Sequence, residues 1–159
     1  MLDTETFRKS LYGMWAECTD TSHKVDGIMI YSSNRVEFKF AADYGRDIVV
    51  TFDKYVGVGC KGQPNADRES FIMRYNLGAN LGANVFAFDM VIFNNDKESG
   101  IQYSSAKIRD QKLIVSLGSA IESDSSLGNG ASPAIRYKFL EAKDGDKNLL
   151  AYYLTKVPE

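Results

Sequence analysis

The stretch "RVEFKFAA" constrains this chain more than any other. Val36, Phe38 and Phe40 fall on one side of an extended backbone, and Arg35, Glu37 and Lys39 on the other. A period of two with one dry and one wet face is the mark of an antiparallel strand laid over a core. The same habit recurs along the chain. "VFAFDMVIF" sets Phe86, Phe88, Met90 and Ile92 against Asp89. "LIVSLG" alternates Leu113, Val115 and Leu117 with Ile114 and Ser116. "AIRYKFLEA" sets Ile135, Tyr137 and Phe139 against Arg136 and Lys138. "SFIMRYN" reads as a further strand, and "LLAYYLTKV" as the last, with Tyr152 and Leu154 on one face.

Between these runs the chain is punctuated for turns. "YSSNR" (Tyr31 to Arg35) reads as a tight turn behind "GIMIYS", "RDQK" as a turn, and "KDGDKN" as another with an Asp-Gly signal. "DIVVTFDKYVGVGC" fits either a hairpin turning at Asp53-Lys54 or one long strand with a bulge. "KGQPNADRE" is loop by composition, as is the long polar stretch 118–133. "NLGANLGAN" holds Leu-Gly-Ala-Asn twice. It reads as a flexible hairpin loop in which Gly and Asn supply positive φ.

One segment has a different period. In "DTETFRKSL", Asp3 or Thr4 can cap a helix, Glu5 sits in its first turn, and Phe7 and Leu11 share a face. Gly13 then frees the chain to extend. The prediction is one short N-terminal helix and some nine to eleven strands. An open meander of that size leaves two bare edges. Closure into an up-and-down barrel removes them. The fold class is therefore all-β: an antiparallel meander closed into a β-barrel, in a single domain over residues 1–159.

Composition narrows the function classes. At 44% hydrophobic and 25% charged residues, the chain has the balance of a globular domain. A formal net charge of -2 gives no electrostatic case for nucleic acid. No run approaches the ~18–20 apolar residues of a membrane span. The start "MLDTETFRKSLYG" is too polar for a signal peptide. The expected setting is the cytoplasm, or outside it as a mature exported chain. The two cysteines, Cys18 and Cys60, have no signature spacing. They read as small buried residues, with a single bridge left open.

Catalytic signals are sparse, and the expectation is a non-enzyme. The one histidine, His23, lies in the polar stretch "CTDTSHKVDG" and is expected to be exposed and idle. It cannot build a multi-histidine zinc site, and neither cysteine is at ligand spacing, so no metal and no cofactor are expected. "GVGCKG" lacks the Gly-Lys-Ser/Thr of a phosphate loop. Glu17 shares a strand face with Trp15. Buried, it would be a raised-pKa acid, but at the barrel rim it would be wet, and the rim is the expected position.

A short helix followed by Gly13-Met14-Trp15, with "DGIMIY" as the second strand and "DGDKNLLAYYLTKV" at the end, resembles the lipocalin-like (calycin) barrels. The resemblance implies that Gly13 and Trp15 form the barrel floor beneath the helix. It also implies that a basic residue of the last strand, by position Lys156, crosses the Trp15 ring. The implied function is binding of a small hydrophobic or amphipathic molecule. Its lining would come from the inward set Phe38, Phe40, Phe86, Phe88, Met90, Tyr137, Phe139 and Tyr152. Two other expectations stand beside it. One is a protein-interaction module of inhibitor or immunity type, with a filled barrel acting through loops 61–69 and 119–132. The other is an isomerase or cyclase using Glu17 or a buried tyrosine as its acid.

Overall fold

The computed structural model describes residues 2–41, 45–65, 68–94, 97–116 and 151–158. Helix α1 (Thr4–Leu11) is followed by strands β1 (Gly13–Asp20), β2 (His23–Val25), β3 (Ile28–Ile30), β4 (Ser32–Phe40) and β5 (Asp47–Val56). Then come β6 (Glu69–Asn80), β7 (Phe86–Asn94), β8 (Lys97–Arg109), β9 (Lys112–Ser116) and β10 (Ala151–Lys156). Eight strands close into an antiparallel barrel in the order β1-β10-β9-β8-β7-β6-β5-β4, and β2 and β3 form a separate two-stranded ribbon. The all-β class, the closed up-and-down barrel and the short N-terminal helix are thus as the alternation requires. The expected strand at 134–142 and the turn at 143–148 lie outside the described residues.

Asp3 caps α1: its Oδ1 accepts the Thr6 N–H at 2.7 Å. That bond holds the Asp3 carboxyl below its usual range. Thr4 Oγ1 donates to the carbonyl of Gly78 at 3.0 Å, which ties the first turn to β6. Phe7 and Leu11 are fully buried, so the helix lies with its apolar face on one end of the barrel. Phe7 stacks on Phe86 with ring centroids 4.2 Å apart.

Three local expectations are corrected. The Tyr31–Arg35 turn is not there. Asp26 and Gly27, with φ of 49° and 79°, make the turn, and β4 runs from Ser32. Two consecutive positive-φ residues are what a two-residue hairpin needs, and Asp-Gly supplies them where Ser-Ser does not. His23 accordingly lies in β2, exposed as expected, with Nδ1 3.2 Å from the Thr21 carbonyl. Of the two readings left open for the next segment, the long strand holds: β5 is continuous through Asp53-Lys54. Only the second copy of Leu-Gly-Ala-Asn turns, with Gly82, Ala83 and Asn84 at positive φ; the first copy belongs to β6. There the pairing with β7 slips between Leu77 and Asn80. A Cβ at Gly78 would stand 2.9 Å from that of Ala87.

The third correction concerns the cysteines. Cys18 and Cys60 form a disulfide across 42 residues, with Cα atoms 6.1 Å apart. Cys18 points out of β1, and the chain after β5 folds back over the outer face of β1 and β4 to meet it. Ser33 fastens that return: its Oγ donates to the Gly57 carbonyl at 2.8 Å and accepts the Cys60 N–H at 2.9 Å. Spacing along the chain carries no trace of this, because a later loop creates the proximity. Nearby, buried Asp53 receives two bonds from Arg68, at 2.8 and 3.2 Å.

Alternation also understates burial on one side. Leu113 and Val115 face inward as expected, yet Ile114 and Ser116 on the opposite face are buried too, as are Ala87, Val91 and Ser105. Strands β7 to β9 are therefore covered on both faces.

Candidate functional site

The barrel differs sharply between its two ends. At the helix end the interior is packed solid. Phe38, Phe40, Phe86, Phe88 and Met90 are all buried and belong to one apolar cluster with Phe7, Leu11, Trp15, Tyr75 and Leu154. Tyr75 stacks on Phe88 at 5.3 Å and meets the Phe40 ring edge-on at 5.5 Å. Its hydroxyl donates to the Gly45 carbonyl at 3.3 Å. Burial pushes the Tyr75 phenol above its ordinary pKa.

The floor is built around Trp15. Its ring is buried, and its Nε1–H donates to the Leu11 carbonyl at 2.8 Å, closing the corner between α1 and β1. Lys156 Nζ lies 4.7 Å from the Trp15 ring centroid and donates to the Tyr12 carbonyl. Trp15 and Lys156 are direct partners in the β1–β10 ladder, which brings the two side chains together. Gly13 has φ of 114°, and a Cβ there would sit 2.9 Å from Lys156 Nζ. The Gly-x-Trp spacing thus has a local cause: the lysine that crosses the ring needs the space a side chain at 13 would fill.

At the other end the β1–β10 and β6–β7 ladders stop short among the described residues and leave a seam each. β1 pairs with β10 at Trp15–Lys156 and Ala16–Thr155, and among the described residues no further pair joins them. β6 and β7 pair from Arg74–Val91 toward the helix end. The earlier part of β6, Glu69 to Met73, pairs with β5 alone among the described residues. Toward this end β1, β4, β5 and β6 stay paired with one another, β7 with β8, and β9 with β10.

Glu17 sits in the first seam, part-buried, and its Oε2 accepts the Tyr153 N–H at 3.1 Å. The expectation of a fully wet rim residue is corrected: the carboxylate stands where a ladder carbonyl would be. Tyr152, beside it, faces inward and meets Phe38 edge-on at 5.7 Å. Burial, and then the Glu17 charge, raise the Tyr152 phenol above its ordinary pKa.

The inner face of the open half carries further residues that no motif flagged. Phe52 and Phe71 stack at 5.9 Å, and Phe71 is 47% exposed although its register partner Val50 is buried inside. Met73 packs against the core cluster. Gln102 and Ser104 face inward from β8, opposite Met90 and Phe88. Gln102 Nε2 donates to Ser104 Oγ at 3.4 Å. The alternation Phe71, Met73, Tyr75, Leu77 within "SFIMRYNL" was the available signal, and it lacked an end-to-end direction along the barrel. Tyr137 and Phe139 lie outside the described residues.

The second seam holds a pocket of about 240 Å³ lined by Phe71, Ile72 and Met73 of β6 and Val91 and Phe93 of β7. The Arg74 guanidinium lies 5.4 Å over the Phe93 ring, and its Nε donates to Asp47 at 3.2 Å. Among the described residues no group of three His, Cys, Asp or Glu is placed to hold a metal ion. No helix among them is long and apolar enough to cross a membrane.

A second apolar surface lies outside the barrel. The β2–β3 ribbon exposes Val25, Ile28, Met29, Ile30 and Tyr31, with Ile28 70% exposed. Comparison of the chain with protein-family models, curated proteins and solved structures finds no match.

Proposed function

We propose that this protein is a lipocalin-like, non-enzymatic carrier that holds a small hydrophobic or amphipathic molecule in the open half of its barrel. The observation that carries the reading is Phe71. It is a large ring on the inner face of a closed barrel, stacked on Phe52 and still half in water. Apolar surface kept wet on the inside of a barrel has a use when a ligand covers it. Glu17, Tyr152, Gln102 and Ser104 would supply the few polar contacts that orient the molecule. The packed aromatics of the closed half then act as the base of the site, with Phe38 and Met90 nearest to it. The disulfide suits an oxidising compartment, hence an exported chain.

The test is native mass spectrometry of the purified chain, followed by titration with the apolar dye N-phenyl-1-naphthylamine. A co-purified small molecule, or dye binding abolished by Phe71→Asp, is the expected result. A bare mass together with no dye binding would refute the carrier. That outcome would favour a protein-interaction module, whose own support is the exposed apolar β2–β3 ribbon.

A further inference from the structure

We infer that the β6–β7 seam is itself a binding site, open through the barrel wall, for a flat aromatic molecule bearing a neutral hydrogen-bond acceptor such as a ketone. The inference rests on the carrier reading and names the place and the chemistry. Three features of the β6–β7 edge lead to it.

The first is the shape of the opening. Below Arg74–Val91 the β6–β7 ladder stops, while β6 continues to pair with β5 and β7 with β8. Each edge is held from behind, so the gap between them is a slot with fixed walls. Its lining mixes residues of both faces. Phe71 and Met73 belong to the inner face, where they pair with Val50 and Ile48. Ile72 belongs to the outer face and is 60% exposed. A molecule in the slot therefore touches the barrel interior and the solvent side together.

The second is the lining itself. Phe71 stands on one wall and Phe93 on the other, with a methionine and two aliphatic residues between. Rings and thioether favour a flat aromatic occupant over a flexible chain. Natural edges are guarded by charge or proline. Here Ser70, Phe71, Ile72 and Met73 offer neither.

The third is Arg74, which fixes the polar requirement. Its guanidinium covers the Phe93 ring, so its edge borders the slot. Nε is taken by Asp47, which leaves the terminal N–H groups to meet an acceptor. The charge balance decides which acceptor. Asp47 already compensates the guanidinium, and Glu98 is the register partner of Phe93 on the same face. A carboxylate ligand would face two carboxylates and one shared cation. A neutral carbonyl takes the hydrogen bond without that repulsion.

The experiment uses the full chain and the fluorescent ketone prodan, with 2-acetonaphthone and 2-naphthoate as competitors. Saturable prodan binding is expected, and acetonaphthone should displace it more effectively than naphthoate. Ile72→Glu, at an exposed position that folding does not depend on, should weaken prodan about tenfold by placing a charge against the ring. Arg74→Met should weaken it by about tenfold and shift the bound emission to shorter wavelength, because the carbonyl loses its donor. Prodan binding that is unchanged in both variants would overturn the seam site and leave the carrier reading standing. Naphthoate displacing better than acetonaphthone would overturn the neutral-acceptor class. Failure of both prodan and N-phenyl-1-naphthylamine to bind would overturn the inference and the carrier together.

Discussion

Replacing Gly13 by alanine tests the account of the barrel floor at one atom. The new Cβ would stand 2.9 Å from Lys156 Nζ and 3.1 Å from its Cε. The backbone would also have to hold φ of 114° with a side chain attached. That conformation alone costs about 1–3 kcal/mol for a residue other than glycine. The lysine tail is flexible and can swing off the Trp15 ring, which forfeits a cation–π contact worth about 0.5–1 kcal/mol. The sum is about 1.5–4 kcal/mol, or roughly 3–16 °C in Tm for a domain of this size. Trp15 is the sole tryptophan, so its fluorescence reports the floor directly during urea unfolding. Lys156→Ala supplies the control. In that background the clash is gone, and Gly13→Ala should cost about 1 kcal/mol less than in the native chain. If Gly13→Ala costs under about 0.5 kcal/mol, or the same with and without Lys156, the floor is not built as described.

Other perturbations read other parts of the structure. Cys18→Ser with Cys60→Ser should lower stability by about 4 kcal/mol on the chain-entropy account of a loop spanning 42 residues, measured by urea unfolding against the oxidised chain. Phe7→Ala empties the stack on Phe86 and should cost about 3–5 kcal/mol by the same assay. Tyr75 and Tyr152 keep their protons to higher pH folded than unfolded. The folded state then binds more protons above the ordinary phenol pKa of about 10, so stability holds up to that pH and falls as pH rises further. Tyr152→Phe should flatten that alkaline decline, and the native chain's absorbance at 295 nm should show late-titrating tyrosines.

The barrel was legible because each strand carries its own alternation. Val36-Phe38-Phe40 and Phe86-Phe88-Met90 state their inner faces within five residues, and closure follows from the need to bury edges. The same local logic placed α1, through Asp3, Phe7 and Leu11. What was not legible depends on registers between distant strands. The Tyr31 turn was misplaced because Ser-Ser-Asn is turn-like in composition, although Asp26-Gly27 carried the stronger hairpin signal. The disulfide depends on where the loop after β5 lands, and nothing near Cys18 or Cys60 encodes that. Tyr137 and Phe139 lie outside the described residues, while Phe38, Phe40, Phe86, Phe88 and Tyr152 do face the barrel interior. Their division into a packed half and an open half was invisible, since alternation gives a face and not a height along the axis.

The two halves have different physical reasons to exist. In the closed half Phe7 stacks on Phe86, and Tyr75 meets both Phe40 and Phe88. Burial of these rings stabilises that end. The disulfide and Ser33 hold the chain after β5 against the outer face of β1 and β4. The seams need no such support. At β1–β10 a single side chain, Glu17, replaces backbone pairing, and at β6–β7 apolar side chains line a gap that the ladder leaves open. Uninterrupted pairing at both seams would have been the more stable solution by several hydrogen bonds, each worth about 0.5–1.5 kcal/mol. On the carrier reading we propose, a fold that forgoes them at one end, while the other end is packed, has its binding surface at the end that is left open.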